Sequence, residues 1–220
     1  MTAPDALLFD FGGTLDADGV AWKNRFRQIF ESWRIPSDAF DRAFHAADDA
    51  LVGRIPADLS FRDTVQRLAQ NLAAELGLPT EAAERGAEVF LDESLSKILA
   101  SRELLKRLAS RYRLGVVSNF YGNLEAVCVD TGIRPHLGVA IDSVAVGFEK
   151  PDPRIFQAAL DALETSADRA VFIGDSLPRD MEGARRLGMP HIWLAPGAQA
   201  ACCPADPVIA NVAQLLEMFP

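Results

Sequence analysis

The sequence predicts an α/β fold, a parallel sheet with helices on both faces, with an all-helical insertion near its start. Three observations carry this. Four short apolar runs each stop at a polar residue or at a segment with glycine, as buried parallel strands do where they meet their loops. Helical patterns separate these runs from about residue 98 onward, and such alternation implies crossover connections and parallel pairing. Residues 18–97 carry helical stripes and no convincing strand.

The first strand is Ala6–Phe9, which ends at Asp10 and is followed by Gly12-Gly13-Thr14. The second is Leu114–Ser118, stopping at Asn119, and the third is Ala170–Ile173, stopping at Gly174-Asp175-Ser176. The fourth, His191–Leu194, stops at Ala195-Pro196-Gly197, and weaker strand patterns occur at Val139–Ile141 and Val208-Ile209. Helices are predicted over Arg102–Ser110, Asn123–Thr131, Arg154–Leu163 and Asp180–Leu187, the last with Gly188 as its C-terminal cap. Asp152 is placed to cap the helix that Pro153 begins.

The insertion reads as four helices. Trp22, Phe26, Ile29, Phe30 and Trp33 form one stripe at helical spacing, and Phe40, Ala43, Phe44 and Ala47 a second. Phe61, Val65, Leu68 and Leu72 form a third, and Ala87, Phe90, Leu91 and Leu95 a fourth, with Pro36, Pro56 and Pro79 between them. These stripes are helix core. The division predicted is 1–17 with 98–220 for the sheet unit and 18–97 for the insertion.

Composition narrows the function classes. The 220 residues carry 31 acids against 22 Lys and Arg, for a net charge of −9, with no basic cluster. A nucleic-acid backbone or an anionic membrane surface is repelled by such a chain. No apolar run approaches the length of a membrane span, and the N-terminus lacks the basic start and apolar core of a leader. The three cysteines, Cys128, Cys202 and Cys203, are odd in number and two are adjacent, which argues for a reducing compartment. A cytoplasmic protein is expected.

Open parallel sheets bind ligands beyond the carboxyl ends of their strands. There the sequence collects Asp10, Gly12, Thr14, Ser118, Asn119, Lys150, Asp175 and Asp180. Carboxylates without His or Cys suit Mg²⁺ rather than zinc. Together with small polar donors and a lysine they describe a phosphate site. Lys150 is one of only four lysines, and Pro151 biases it to extended backbone, from which its ammonium can reach inward. Gly12-Gly13 lets backbone approach a phosphate closely, and the pair is not part of a Walker loop. His45, His136 and His191 share no metal-ligand spacing and read as structural residues. Cys202-Cys203 reads as a small-residue loop.

This set resembles the haloacid dehalogenase (HAD) superfamily of hydrolases. Its first motif appears as Asp10-Phe-Gly-Gly-Thr-Leu15, its second as Val116-Val-Ser118-Asn119. The third is Lys150 in Glu-Lys-Pro-Asp-Pro, and the fourth is Gly174-Asp175-Ser-Leu-Pro-Arg-Asp180. All four stand in family order. The resemblance implies a Rossmann-like core with a helical cap, the cap being the 18–97 insertion, and a small phosphorylated substrate. It implies that Asp10 is the nucleophile that forms an aspartyl-phosphate and that Lys150 neutralises charge. Ser118, Asn119, Gly13 and Lys150 then hold the phosphate. Mg²⁺ falls to Asp10, the Gly12 carbonyl, Asp175 and Asp180. Trp22, Lys23, Arg25 and Phe26 are the expected substrate contacts of the cap.

One position departs from the family's phosphatases. They carry a second Asp two residues after the nucleophile, as general acid and base, and this chain has Gly12. Such help is worth about 10²–10⁴-fold, so alkyl phosphates should turn over poorly and acyl or aryl phosphates less so. Asp16 and Asp18 are near in sequence but read as solvated loop residues. Two other readings follow from the gap. One is carbon–phosphorus cleavage with Lys23 as a Schiff base. The other is a module that binds a phosphorylated ligand or a protein without turnover.

Overall fold

A computed structural model describes residues 4–197 and 207–220. The Cys202-Cys203 loop lies outside the described residues.

The sheet contains β1 (Ala6–Phe9), β2 (Arg113–Ser118), β3 (Val139–Asp142), β4 (Ala170–Gly174), β5 (His191–Leu194) and β6 (Val208–Ile209). Both weak strand patterns are therefore strands. The order is β3-β2-β1-β4-β5-β6 and every pairing is parallel. Central β1 puts Phe9 opposite Val116 on one side and Ile173 on the other. β2 and β4 run two residues and one residue beyond this level, and Asp10, Ser118 and Asp175 emerge together at the carboxyl end of the sheet.

Both faces of the sheet are covered. Leu7 and Phe9 point into one apolar cluster, Ala6 and Leu8 into another, as the two-residue period requires. The second cluster is closed by Ile155, Phe156, Ala159 and Leu160 of α7 (Pro153–Ala162) and Ala184 of α8 (Glu182–Arg186). Asp152 caps α7, its carboxylate accepting from the Arg154 amide. The region read as one helix over 180–187 is a wider turn, Leu177–Met181, that runs into α8.

The insertion supplies α1 (Trp22–Ile29), α2 (Ser37–Asp49), α3 (Phe61–Glu75) and the first part of α4 (Thr80–Leu108). The stripe at 87–95 and the helix expected at 102–110 are one continuous element of 29 residues. Between Asp92 and Ser101 no Pro or Gly interrupts the chain, so helix propagation carries through. The 97/98 boundary thus falls inside α4. Phe26, Phe61, Phe90 and Leu68 of the insertion share one apolar cluster with Phe9, Phe11 and Val116 of the sheet unit. The remaining helices are α5 (Leu124–Asp130), α6 (Ser143–Val146) and α9 (Leu215–Met218). No helix among the described residues is long and apolar enough to cross a membrane.

Candidate active site

Asp10 leaves the end of β1 buried, with its amide donating to the Ile173 carbonyl at 2.9 Å. Its Oδ1 accepts from Ser118 Oγ at 2.8 Å and from Lys150 Nζ at 2.6 Å. Lys150 Nζ also lies 2.7 Å from Asp180 Oδ1. Burial alone would lower the Lys150 ammonium. Asp10 and Asp180 outweigh it and hold the group above the usual lysine range.

Asn119 fixes this lysine from behind. Its Oδ1 accepts from the Lys150 amide at 2.7 Å and its Nδ2 donates to the Lys150 carbonyl at 3.1 Å. A residue expected to face phosphate is therefore first a clamp on the lysine backbone.

Asp10, Asp175 and Asp180 bring one carboxylate oxygen each within 4.8 Å of one another. Burial, then the charges of Asp10 and Asp180, push the Asp175 carboxyl up to about 8. Asp180 is likewise raised by burial, against the pull of Lys150. Its Oδ2 accepts from the Ser176 amide at 2.9 Å, and its Oδ1 faces the Lys150 ammonium at 2.7 Å. Three crowded carboxylates, whose charge a single lysine does not balance, fit a hard divalent cation. Gly13, at φ 98°, allows this crowding, since a Cβ there would stand 2.7 Å from Asp175 Oδ2. Its amide donates to Asp16 Oδ1 at 2.7 Å, so the structure does not leave that N–H for phosphate as expected.

Gly12 adjoins Trp22. A Cβ on Gly12 would stand 3.3 Å from Trp22 Nε1, and that nitrogen donates to Asp16 Oδ2 at 2.7 Å. Asp16 is fully buried, not solvated as its loop position suggests. Burial pushes its carboxyl up to about 6, against the stabilising charge of Arg25. Arg25 is itself buried and bonds Asp16, Ser94 and the Phe90 carbonyl. Phe26 stacks on Phe90 at 4.5 Å. Neither borders the site, so of the four expected contacts from the insertion only Trp22 and Lys23 reach it. The Arg25 guanidinium is instead held by Asp16, Ser94 and the Phe90 carbonyl, and the Phe26 ring by its stacking on Phe90. Asp18 bonds Lys97 at 2.9 Å and the Val212 amide at 3.1 Å.

Above Asp10, Gly12, Ser118 and Lys150 lies a cavity of about 200 Å³. Residues that the sequence reading missed line it: His45 and Asp48 of α2, Tyr121 and Arg179. The Tyr121 hydroxyl donates to Asp48 Oδ1 at 2.6 Å. Burial raises the Asp48 carboxyl, opposed by this bond. Burial also lifts Tyr121 well above its ordinary value, with Asp48 adding to the effect. Lys23 lies 3.0 Å from Asp41. His45 and Asp48 are spaced i, i+3, a signal visible in the sequence, but only the tertiary fold shows which side of α2 meets the nucleophile.

The bovine haloacid dehalogenase-like hydrolase domain-containing protein 3 is 41% identical over 131 residues, 59% of this chain and 50% of that protein. The chain spans about half the length of that relative. The phosphoserine phosphatase of Thermus thermophilus is 30% identical over 162 residues, 72% of this chain and 64% of the relative. Among solved structures, the HAD-hydrolase YfnB of Bacillus subtilis superposes with a TM-score of 0.63 at 22% identity, over 99% of both chains, which is a likeness of fold. A family model described as haloacid dehalogenase-like hydrolase matches residues 4–188. With its strand-end carboxylates, buried lysine and parallel sheet, the chain belongs to the haloacid dehalogenase-like hydrolases.

Proposed function

We propose that the protein is a phosphatase acting on a small phosphorylated metabolite through Asp10. The observation that carries this is the hold on one carboxylate oxygen of Asp10, 2.6 Å from Lys150 Nζ and 2.8 Å from Ser118 Oγ. A carboxylate fixed in this way, at the floor of a cavity, is positioned for attack on phosphorus. In the first step an Asp10 oxygen bonds to phosphorus as the bond to the leaving oxygen breaks. In the second, water attacks phosphorus and the electron pair returns to Asp10, releasing inorganic phosphate. Lys150 and Ser118 balance and orient the transferring group, with Asn119 holding Lys150 in place, which is most of what phosphoryl transfer asks of a protein.

Mg²⁺ bound by Asp10, Asp175, Asp180 and the Gly12 carbonyl would supply further neutralisation of phosphoryl charge. The acidic trio supports this, and the Bacillus subtilis relative was solved bound to magnesium. The insertion acts as a cap, with Trp22, Lys23, Phe44 and His45 facing the substrate. A cavity of about 200 Å³ favours a small substrate. The reading of Lys23 as a Schiff base is opposed by its pairing with Asp41 at 3.0 Å.

The test compares wild type with Asp10→Asn on p-nitrophenyl phosphate and acetyl phosphate, with Mg²⁺ and with chelator. Turnover that disappears in Asp10→Asn and on chelation is expected. Equal rates in the two proteins overturn the reading.

A further inference from the structure

The nucleophile and its lysine are in place, yet position 12 has no side chain to move a proton. The indole of Trp22 occupies the neighbouring space. Asp16 is engaged by Gly13, Trp22 and Arg25, and Asp18 by Lys97 and Val212. Neither carboxylate borders the cavity. The loop after β1 therefore offers a departing oxygen no proton.

The opposite wall differs. α2 brings His45 and, one turn on, Asp48 to the same cavity as Asp10, Gly12 and Ser118. One oxygen of Asp48 is held by the Tyr121 hydroxyl, and the exposed imidazole of His45 is the wall's group suited to donate in one step and accept in the next.

We infer that His45 is the acid and base of this site, supplied from the insertion in place of a side chain at position 12. This rests on the phosphatase reading above. When the phosphorus–oxygen bond of the substrate breaks, its electron pair goes to the leaving oxygen, which takes the proton of the His45 imidazolium. The neutral imidazole then takes a proton from the water that attacks the aspartyl-phosphate. The phosphorus–Asp10 bond breaks, the carboxylate is restored, and the imidazolium is ready for the next cycle. On α2 the groups facing His45 are Asp41 and Asp48, with Asp49 beside them. Lys23 of α1, Tyr121 after β2, Arg179 of the 177–181 turn and, on the floor, Asp10, Lys150, Asp175 and Asp180 line the same cavity.

His45 is exposed, so replacing it leaves the fold intact. The experiment measures wild type, His45→Gln and His45→Ala on phenyl, p-nitrophenyl and 2,4-dinitrophenyl phosphate, with Asp10→Asn as reference. On phenyl phosphate, whose leaving group needs a proton, kcat/KM of His45→Gln falls by about 10²-fold or more. On the dinitrophenyl ester the first equivalent of phenolate still appears at near the wild-type rate, and later turnover slows. One limb of the pH–rate profile is lost, and added imidazole restores His45→Ala. A loss equal across the three esters, or none, overturns the role of His45 while turnover absent from Asp10→Asn keeps the phosphatase reading. If wild type turns over nothing that Asp10→Asn does not, both fall.

Discussion

Trp22 Nε1 donates to Asp16 Oδ2 at 2.7 Å, and this bond locks the indole beside Gly12. Glycine at position 12 is therefore matched to a residue of the insertion. The bond ties α1 to the loop that carries the nucleophile, and Arg25 extends the tie to α4 through Ser94 and the Phe90 carbonyl.

This contact means that restoring an Asp at position 12 does not restore a phosphatase motif. Its Cβ would meet Trp22 Nε1 at 3.3 Å, and overpacking of this kind costs about 1–3 kcal/mol. Gly12→Asp is expected to lower stability by that amount without raising activity on alkyl phosphates. In a Trp22→Leu background the penalty shrinks. Urea denaturation of the four proteins gives the coupling between the positions, and a penalty equal in both backgrounds refutes the contact as its cause.

Asp16 sets a pH signature. Burial holds its folded-state carboxyl at about 6, against about 3.9 in an unfolded chain. Between those values the folded state binds more protons, so the contribution of Asp16 to stability is full below pH 4 and is lost as pH rises through 6. Asn at this position does not titrate. The stability of wild type minus that of Asp16→Asn is thus largest near pH 4 and shrinks by roughly 2–3 kcal/mol by pH 7. Parallel stability profiles across this range would remove Asp16 as the titrating group.

The sheet and the floor of the site were legible because short-range signals mark them. Asp10, Ser118 and Asp175 follow apolar runs that stop abruptly, and parallel pairing brings those stops together. The roof was not legible. Trp22, Arg25 and Phe26 share one helical face in sequence, yet Trp22 meets the cavity while the other two turn to Asp16 and Phe90. His45 borders an apolar stripe, and only the meeting of α2 with the loop after β2, where Asp48 bonds Tyr121, gives it a place. The clamp between Asn119 and Lys150 spans 31 residues and leaves no local pattern.

That clamp predicts a separation of kinetic constants. Asn119→Ala removes both hydrogen bonds that fix the Lys150 backbone. The lysine then holds Asp10 less well, although every charge remains. kcat is expected to fall about 10–100-fold, the equivalent of the roughly 1–3 kcal/mol that a lost buried partner costs, with a smaller change in KM. Asn119→Asp keeps the acceptor for the Lys150 amide and is expected to fall between the two. A change confined to KM would instead make Asn119 a substrate-binding group.

Metal addition provides the last test, and its pH dependence follows from the acidic trio. Asp175 holds its proton up to about pH 8 because burial and the charges of Asp10 and Asp180 disfavour ionisation. A cation bound there must displace that proton. Mg²⁺ is therefore expected to raise Tm more at pH 8.5 than at pH 6, with proton release on binding. At a hundred times its Kd the ion contributes about 2.7 kcal/mol, a shift that differential scanning fluorimetry resolves readily. Asp175→Asn relieves the crowding, so it raises stability without metal and lowers the response to Mg²⁺. A Tm shift of equal size at both pH values would mean that the ion binds away from Asp175. No shift at either would favour a fold that has kept the carboxylates without the metal, and with it the reading of the chain as a binding module.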